Sequence, residues 1–220
     1  MYLFLLAVIY LAFISLGLPD SLLGAAWPTI RTAFEVPLSY MGLISMIISG
    51  GTILSSLMSE RLTKKIETKA VTVISVFLTA IALFGFSTST AFYQMCLWAI
   101  PYGLGAGAID AALNNYVALH YNSRHMNWLH CFWGVGTIIS PYIMSYALTH
   151  SVWTNGYRIV SYLQFGIAAV LLMTLPLWKI NKPSTSGENN GKLLGITGAL
   201  QIKGVPYLLI GFMSYCAAEA

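Results

Sequence analysis

The chain has 220 residues, of which 57% are hydrophobic and only 8% are charged, and its formal net charge is +4. Soluble domains carry roughly 25% charged residues, so the composition excludes an ordinary soluble domain and predicts a polytopic protein of the lipid bilayer. The small net charge does not indicate nucleic-acid binding. The three cysteines all fall in apolar segments, which favours neither a disulfide framework nor a metal site.

Six apolar runs are long enough to cross a membrane, which takes about 20 mostly apolar residues in a helix. The runs cover residues 2–30, 38–58, 70–89, 91–120, 126–149 and 152–178. We therefore predict an all-α fold in which residues 1–178 form a bundle of six transmembrane helices.

A polar segment and a seventh apolar run follow the six spans. Residues 179–203 are rich in Ser, Gly and Asn, which predicts a flexible linker on the cytoplasmic side. Residues 204–220 are apolar to the end, which predicts the truncated start of a seventh helix. We expect a fragment of a longer membrane protein, with the missing C-terminal half as its partner. The alternative is a natural short protein that ends in a frayed helix.

Basic residues predict the orientation of the spans. Nine of the eleven fall on the side that carries the connection between the second and third spans and the polar linker. Only Arg31 and Arg158 fall on the other side. The N-terminus is therefore predicted to be cytoplasmic, in a plasma or inner membrane.

A weak internal repeat relates the first three spans to the last three. Residues 51–55 (Gly-Thr-Ile-Leu-Ser) resemble residues 136–140 (Gly-Thr-Ile-Ile-Ser) at an offset of 85, and Asp20 and Asp110 are offset by 90. Because three is odd, the second triplet enters the membrane from the opposite side. The pattern predicts a 3+3 inverted repeat, an architecture of many secondary transporters.

The first span contains an acid beside a proline. A carboxylate at the centre of a membrane helix costs roughly 2.5–3.5 kcal/mol on insertion scales, and Pro19 kinks the helix and frees carbonyls near residues 15 and 16. We interpret Asp20 as a binding point for a proton or a polar solute, with the freed carbonyls facing a cavity. The alternative is an Asp that hydrogen-bonds a neighbouring helix.

The fourth span combines small residues with a second acid. Asp110 and Asn114 are four residues apart and share one helical face. A carboxylate and an amide together suit the hydroxyl groups of a sugar-like solute, whereas the alternative is again helix packing.

The fifth span opens with further polar candidates. Asn127 and His130 lie three apart, and His130 is a candidate proton carrier or solute ligand because imidazole titrates near physiological pH. Trp133 could stack on a sugar ring, although packing or lipid contact is the usual role of such a residue. Gln164 in the sixth span and Glu219 in the seventh are weaker candidates.

Enzyme and metal chemistry find no support in the sequence. His120, His125 and His130 recur at intervals of five, so they do not share a helical face and no metal site is predicted. No phosphate-binding glycine loop and no nucleophile motif occurs outside the spans. We expect no cofactor and no nucleic-acid partner.

The segment Gly105–Asn114, and Asn127-x-x-His130 with Gly136 and Pro141, resemble the N-terminal half of a major facilitator superfamily transporter. The likeness is closest to the fucose-permease-like group of sugar symporters, which has an acid with an Asn four residues later in helix 4 and an Asn-x-x-Gln stretch opening helix 5. Here His130 replaces the Gln. The segment Lys64–Lys69 resembles that group's basic loop after helix 2.

The resemblance implies twelve helices in two bundles, a solute site between them, and alternating access driven by a proton gradient. It also implies that Asp110 carries a proton or a sugar contact. Two departures are visible. This chain lacks the second glycine of the superfamily's loop signature, and either Thr63 or Glu67 stands in its place according to the alignment. Asp20 comes about one turn before the group's helix-1 acid.

These observations together predict a proton-coupled transporter of a small polar solute, most simply a sugar. The candidate solute or proton contacts are Asp20, Asp110, Asn114, Asn127, His130, Trp133, Gln164 and Glu219. Two alternatives stay open. One is an exporter of drugs or metabolites on the same scaffold, and the other is a half-length membrane protein that packs against a partner without transporting anything.

Overall fold

The computed structural model describes residues 2–178, 198 and 201–219. The chain divides into two compact units, Met1–Ile180 and Asn181–Ala220, and each is described by itself. Most of the predicted linker therefore lies outside the described residues.

The first unit is helical and contains no strand in its described part, as the all-α prediction requires. Its helices are α1 (Tyr2–Gly17), α2 (Leu22–Ala33), α3 (Tyr40–Thr88), α4 (Phe92–His120), α5 (Ser123–His150) and α6 (Trp153–Thr174), followed by a 3-10 turn at Leu175–Trp178. In the second unit, α7 covers Val205–Glu219, where the sequence predicts the start of a seventh helix.

The first predicted span consists of two helices with a break between them. Residues 18–21 separate α1 from α2, and the stretch Phe4–Ala33 as a whole is long and apolar enough to cross a membrane. Pro19 has no backbone N–H and therefore cannot make the helical bond to the carbonyl four residues earlier. The predicted kink is confirmed, and it takes the form of a complete interruption of the helix.

The connection between the second and third spans differs from the prediction. The sequence predicts a basic loop between residues 58 and 70, but α3 is helical throughout except at Glu67, whose φ is 64° and ψ is 151°. The chain nevertheless contains both spans, because the parts of α3 before and after Glu67 run in opposite directions along α4.

Close contacts at glycines show this reversal. In the first part of α3, Ile48 lies against Gly103 and Thr52 lies against Gly107, so the sequence numbers rise together and the two helices are parallel. In the second part, Ser75 lies against Gly105 and Gly85 lies against Trp98, so the numbers run in opposite senses. A single non-helical residue therefore replaces the loop.

The last three predicted spans are confirmed within a few residues at each end. The stretches Phe92–His120, Ser123–His150 and Trp153–Trp178 are each long and apolar enough to cross a membrane. Together with the two parts of α3 and the α1–α2 pair they make up the six spans of the bundle.

Two crossings bring helix backbones into direct contact. A methyl group added at Gly136 of α5 would meet the carbonyl oxygen of Ile14, and one at Gly17 would meet that of Trp133. The same relation holds for Gly103 of α4 and Ile48 of α3. In a 3+3 repeat, the first span is equivalent to the fourth and the second to the fifth. The contact between spans one and five is then equivalent to the contact between spans four and two, as an inverted repeat predicts.

The buried apolar side chains form two main clusters at different depths of the bundle. One packs α2 against the beginnings of α4 and α6, and the other packs α1 against the second half of α4. On α6 the first cluster ends at Val160 and the second begins at Ala168. Polar side chains of the bundle, Gln164 among them, lie between the two clusters.

Candidate functional site

The break between α1 and α2 determines where Asp20 lies. Two backbone bonds hold the turn, from Asp20 N to Gly17 O at 3.3 Å and from Leu22 N to Pro19 O at 3.1 Å. Asp20 lies in this turn and not within a helix, and its side chain projects towards α4 and α5.

Two neutral donors from different helices bind the Asp20 carboxylate. The Tyr102 hydroxyl of α4 donates to Oδ1 at 3.1 Å, and the Trp133 indole of α5 donates Nε1–H to Oδ2 at 2.8 Å. Asp20 remains exposed and lines a cavity of 370 Å³. The carboxylate therefore faces open space within the bundle while it links three elements.

Asp110 and Asn114 form a pair on α4, as their spacing predicts. Asn114 Nδ2 donates to Asp110 Oδ1 at 2.9 Å, and both side chains are half-buried. The amide oxygen of Asn114 is buried and accepts no hydrogen bond from the described residues. The pair thus offers a carboxylate oxygen and an amide oxygen as acceptors.

Asp110 lies within electrostatic range of two other predicted site residues. Asp110 interacts with the His130 ring and with the Asp20 carboxylate across the bundle interior. His130 is exposed, and its ring lies perpendicular to that of Phe13 at a centroid distance of 6.1 Å. The structure therefore places Asp110 near both of the other predicted titratable residues, without a direct contact among the described residues.

Asn127 and Trp133 are both exposed on α5. Asn127 makes no hydrogen bond within residues 2–178 and keeps its amide available. Trp133, 37% exposed, uses its indole N–H to bind Asp20. Stacking of a sugar on its ring stays a prediction, whereas its polar atom binds the acid.

Gln164 has a different environment from the other candidates. It is 1% exposed, its Nε2 donates to the carbonyl of Ser15 at 2.6 Å, and its Oε1 accepts from the Thr79 hydroxyl at 2.8 Å. The Ser15 carbonyl has no helical donor, because Pro19, four residues later, has no N–H. The expectation that this carbonyl faces a cavity is wrong, because Gln164 binds it inside the bundle.

Glu219 stands apart from these residues. It belongs to the second unit, and its side chain lies outside the part of the chain that the structure describes. It stays a prediction from the sequence.

Sequence reasoning missed Tyr102 as a partner of Asp20. Its signal was a hydroxyl in an apolar span eight residues before Asp110, a spacing that places two side chains near one side of a helix. That signal does not identify Asp20 as the acceptor, because the contact depends on how α4 packs against the α1–α2 break.

Comparison with known families gives one match over nearly the whole chain. Residues 9–219 match the family described as Major Facilitator Superfamily. No curated protein matches the sequence. The family match covers both described units and all of the candidate site residues.

Proposed function

The chain belongs to the Major Facilitator Superfamily, and we therefore propose that this membrane transporter moves a small polar solute of the sugar class. A proton gradient drives the transport. The observation that carries the proposal is the surroundings of Asp110, which binds the Asn114 amide at 2.9 Å and lies within electrostatic range of His130.

The solute class follows from the atoms that this cluster offers. A carboxylate and two amides supply both the acceptors and the donors that sugar hydroxyl groups bind. The unpartnered Oδ1 of Asn114 is an acceptor that a solute hydroxyl would satisfy. The likeness of Gly105–Asn114 to the fucose-permease-like symporters supports the same class.

The surroundings of the two acids support proton coupling. Within the described residues the ion pairs of the bundle are Lys64–Glu60 and Lys69–Glu67, and no Lys or Arg binds Asp20 or Asp110. An uncompensated carboxylate is costly when the site closes against water. Protonation removes that cost, so we assign Asp110 as the acid whose protonation permits closure, with His130 as its proton partner.

The proposed cycle is a rigid-body rocking of this bundle against a second one, which alternately opens the site to each side. We place the N-terminus in the cytoplasm of a plasma or inner membrane. The nine-to-two distribution of Lys and Arg between the two sides supports this orientation.

Replacing Asp110 with Asn tests the coupling. Because Asn imitates the protonated acid, we expect Asp110→Asn to lower gradient-driven accumulation of a labelled hexose or pentose by about tenfold or more, a loss of at least about 1.4 kcal/mol of coupling. Exchange of labelled for unlabelled sugar should persist in the same vesicles, since the carrier can still cycle when neutral. Wild-type accumulation of every sugar by this variant would refute the assignment.

Replacing Asn114 with Ala tests the solute contact. We expect Asn114→Ala to raise the KM for the transported sugar by about tenfold, the cost of one hydrogen bond to a buried group. The matched control is Asn115→Ala, since Asn115 is exposed and points about 100° away on the same helix. Equal effects of the two substitutions on KM would remove Asn114 from the site.

A further inference from the structure

A cavity inside the bundle has features that the proposed solute site does not use. It occupies 370 Å³ between the α1–α2 break, both parts of α3, α4 and α6, and Asp20 lies on its wall. Asp110, Asn127 and His130 do not line it. The described lining of this cavity therefore does not include the residues to which we assign the solute.

Serine hydroxyls on α3 are left free to face this cavity. Ser45 and Ser49 are four residues apart on one helical face, and both line the cavity. Elsewhere on α3 the hydroxyls of Ser55, Thr72 and Ser87 donate to backbone carbonyls of their own helix at 3.2, 2.9 and 2.7 Å. In the described residues, Ser45 and Ser49 make no such bond, which keeps both hydroxyls available to a ligand.

A buried tyrosine supplies an independent indication of a ligand. Tyr157 is 2% exposed and lines the cavity, and its hydroxyl is buried without a hydrogen-bond partner in the described part of the chain. A buried hydroxyl without a partner is unfavourable. A bound group that accepts or donates at this position would remove the penalty.

Charge and aromatic rings indicate the sign of the ligand. Asp20 is the only ionisable carboxylate among the described residues of the cavity wall, and no Lys, Arg or His lines the space. The rings of Phe86, Tyr102 and Tyr157 form a group there, with centroids 5.5 Å apart for Phe86–Tyr157 and 6.3 Å apart for Phe86–Tyr102. A negative charge beside aromatic faces favours a cation.

Size and wall chemistry indicate what kind of cation. A bare metal ion requires oxygen ligands at about 2.0–2.6 Å on all sides, which a space of 370 Å³ does not provide. The remaining wall is largely apolar, with Leu23, Ile44, Ile48 and Leu83 among its members. The cavity thus has a charged end, several hydroxyls and an apolar body.

We propose that this cavity binds a small organic cation, a primary ammonium group that carries an apolar or aromatic body. The ammonium would bind the Asp20 carboxylate, and its two remaining N–H groups would bind the hydroxyl of Tyr157 and that of Ser45 or Ser49. The apolar body would lie against Phe86. The inference does not rest on the proposed sugar transport, since it uses other residues.

Calorimetric titration of the purified protein in nanodiscs tests the charge requirement. The probes are phenethylamine and its neutral counterpart phenethyl alcohol, and empty nanodiscs supply the correction for partitioning into lipid. We expect the amine to bind at least about tenfold more tightly than the alcohol, a difference set by the Asp20 charge. Equal affinities, or no amine binding above the empty-disc signal, would overturn the proposal.

A cavity-filling variant tests the location. A methyl group added at Gly24, on the cavity wall, would meet only the Met41 side chain, at 3.8 Å, so a larger side chain at this position starts into the space without a clash at Cβ. The matched control is Gly166→Leu on α6, where nothing lies within 4 Å. We expect Gly24→Leu to weaken amine binding by about tenfold or more and Gly166→Leu to leave it unchanged. Unchanged binding in Gly24→Leu would place the ligand elsewhere.

Two further substitutions identify the contacts. Asp20→Asn should abolish the preference for the amine over the alcohol, and Tyr157→Phe, which breaks no hydrogen bond of the protein, should weaken amine binding while the protein remains folded. Retention of the full amine preference in Asp20→Asn would refute the assigned contact. Because these titrations need no gradient, their failure would leave the Asp110→Asn uptake test untouched, and the reverse also holds.

Discussion

At the scale of single residues, a glutamine in the sixth span supplies the hydrogen bond that a proline removes from the first. Pro19 leaves the Ser15 carbonyl without its helical donor, and Gln164 of α6 supplies a replacement N–H at 2.6 Å. The same amide accepts from Thr79 of α3. One buried side chain therefore joins three spans and stabilises the break that exposes Asp20.

Replacing Gln164 with Leu should lower the free energy of unfolding by about 1–2 kcal/mol, because the Ser15 carbonyl becomes a buried acceptor without a donor. Thr79 also donates to Val76 O at 2.9 Å and keeps that bond. Denaturant titration of the protein in detergent, followed by circular dichroism, measures the change.

A double-mutant cycle with Pro19→Ala provides the control. An alanine at this position would carry the N–H that Pro19 lacks, so Gln164→Leu should cost less in that background than alone. A cost that is equal in both backgrounds would show that the bond to Ser15 does not explain the role of Gln164.

The polar residues themselves were predictable from the sequence, whereas their partners were predictable only within a helix. Asp20 and Asp110 are conspicuous because acids are rare in apolar spans, and the bond between Asp110 and Asn114 follows from helical spacing. The bonds from Tyr102 and Trp133 to Asp20 cross more than eighty residues of sequence. They depend on helix packing that no local pattern specifies.

At the scale of elements, the reversal of α3 takes place at one residue. Glu67 has the backbone conformation of a glycine, with φ at 64° and ψ at 151°. In one of the two alignments with the superfamily's loop signature, Glu67 stands at the second Gly. Its conformation favours that alignment, in which Lys65 stands at the Arg.

Replacing Glu67 with Gly should therefore stabilise the protein by about 1 kcal/mol, since the strained conformation costs a non-glycine residue about 1–3 kcal/mol. The lost ion pair with the half-buried Lys69 offsets part of this gain, because Glu67 itself is exposed. The matched control is Glu60→Gly, another exposed acid paired with a lysine but inside regular helix, where we expect a loss of about 1 kcal/mol. Thermal unfolding measures both, and a destabilised Glu67→Gly variant would contradict the strain argument.

The contact between α1 and α5 makes an equally specific prediction. Gly136→Ala should destabilise the protein by about 1–3 kcal/mol, because the new methyl group strikes the backbone of α1 around Ile14. Gly134→Ala, two residues earlier, has nothing within 4 Å and should be neutral or stabilising. The apparent Tm in detergent distinguishes them, and similar values for both variants would contradict the close contact.

The positions of these elements were predictable, whereas one connection was not. Each span must satisfy its own backbone in lipid, so a long apolar run is a dependable signal of a helix. The four basic residues between positions 61 and 69 predict a loop, yet Lys and Arg are also good helix formers. Composition alone cannot show that a chain reverses at a single residue such as Glu67.

At the scale of the whole molecule, the bundle is apolar outside as well as inside. Met46, Ile138 and Met173 are 73%, 65% and 79% exposed, which would be unfavourable in water and is ordinary for a surface that meets lipid or a second bundle. Because both faces of each helix are apolar, the hydropathy pattern does not reveal which face is inside. The acid and the proline predict a cavity beside Asp20, but the sequence does not predict which residues of α3 and α6 line it.

The glycine crossings have a consequence for how this bundle can move. Where Gly136 meets α1 and Gly103 meets α3, main-chain atoms touch with no side chains between them. Side chains can change rotamer to let one helix slide along another, but peptide groups in direct contact have no such freedom. We therefore expect α1 and α5 to move together as one rigid pair when either helix is displaced.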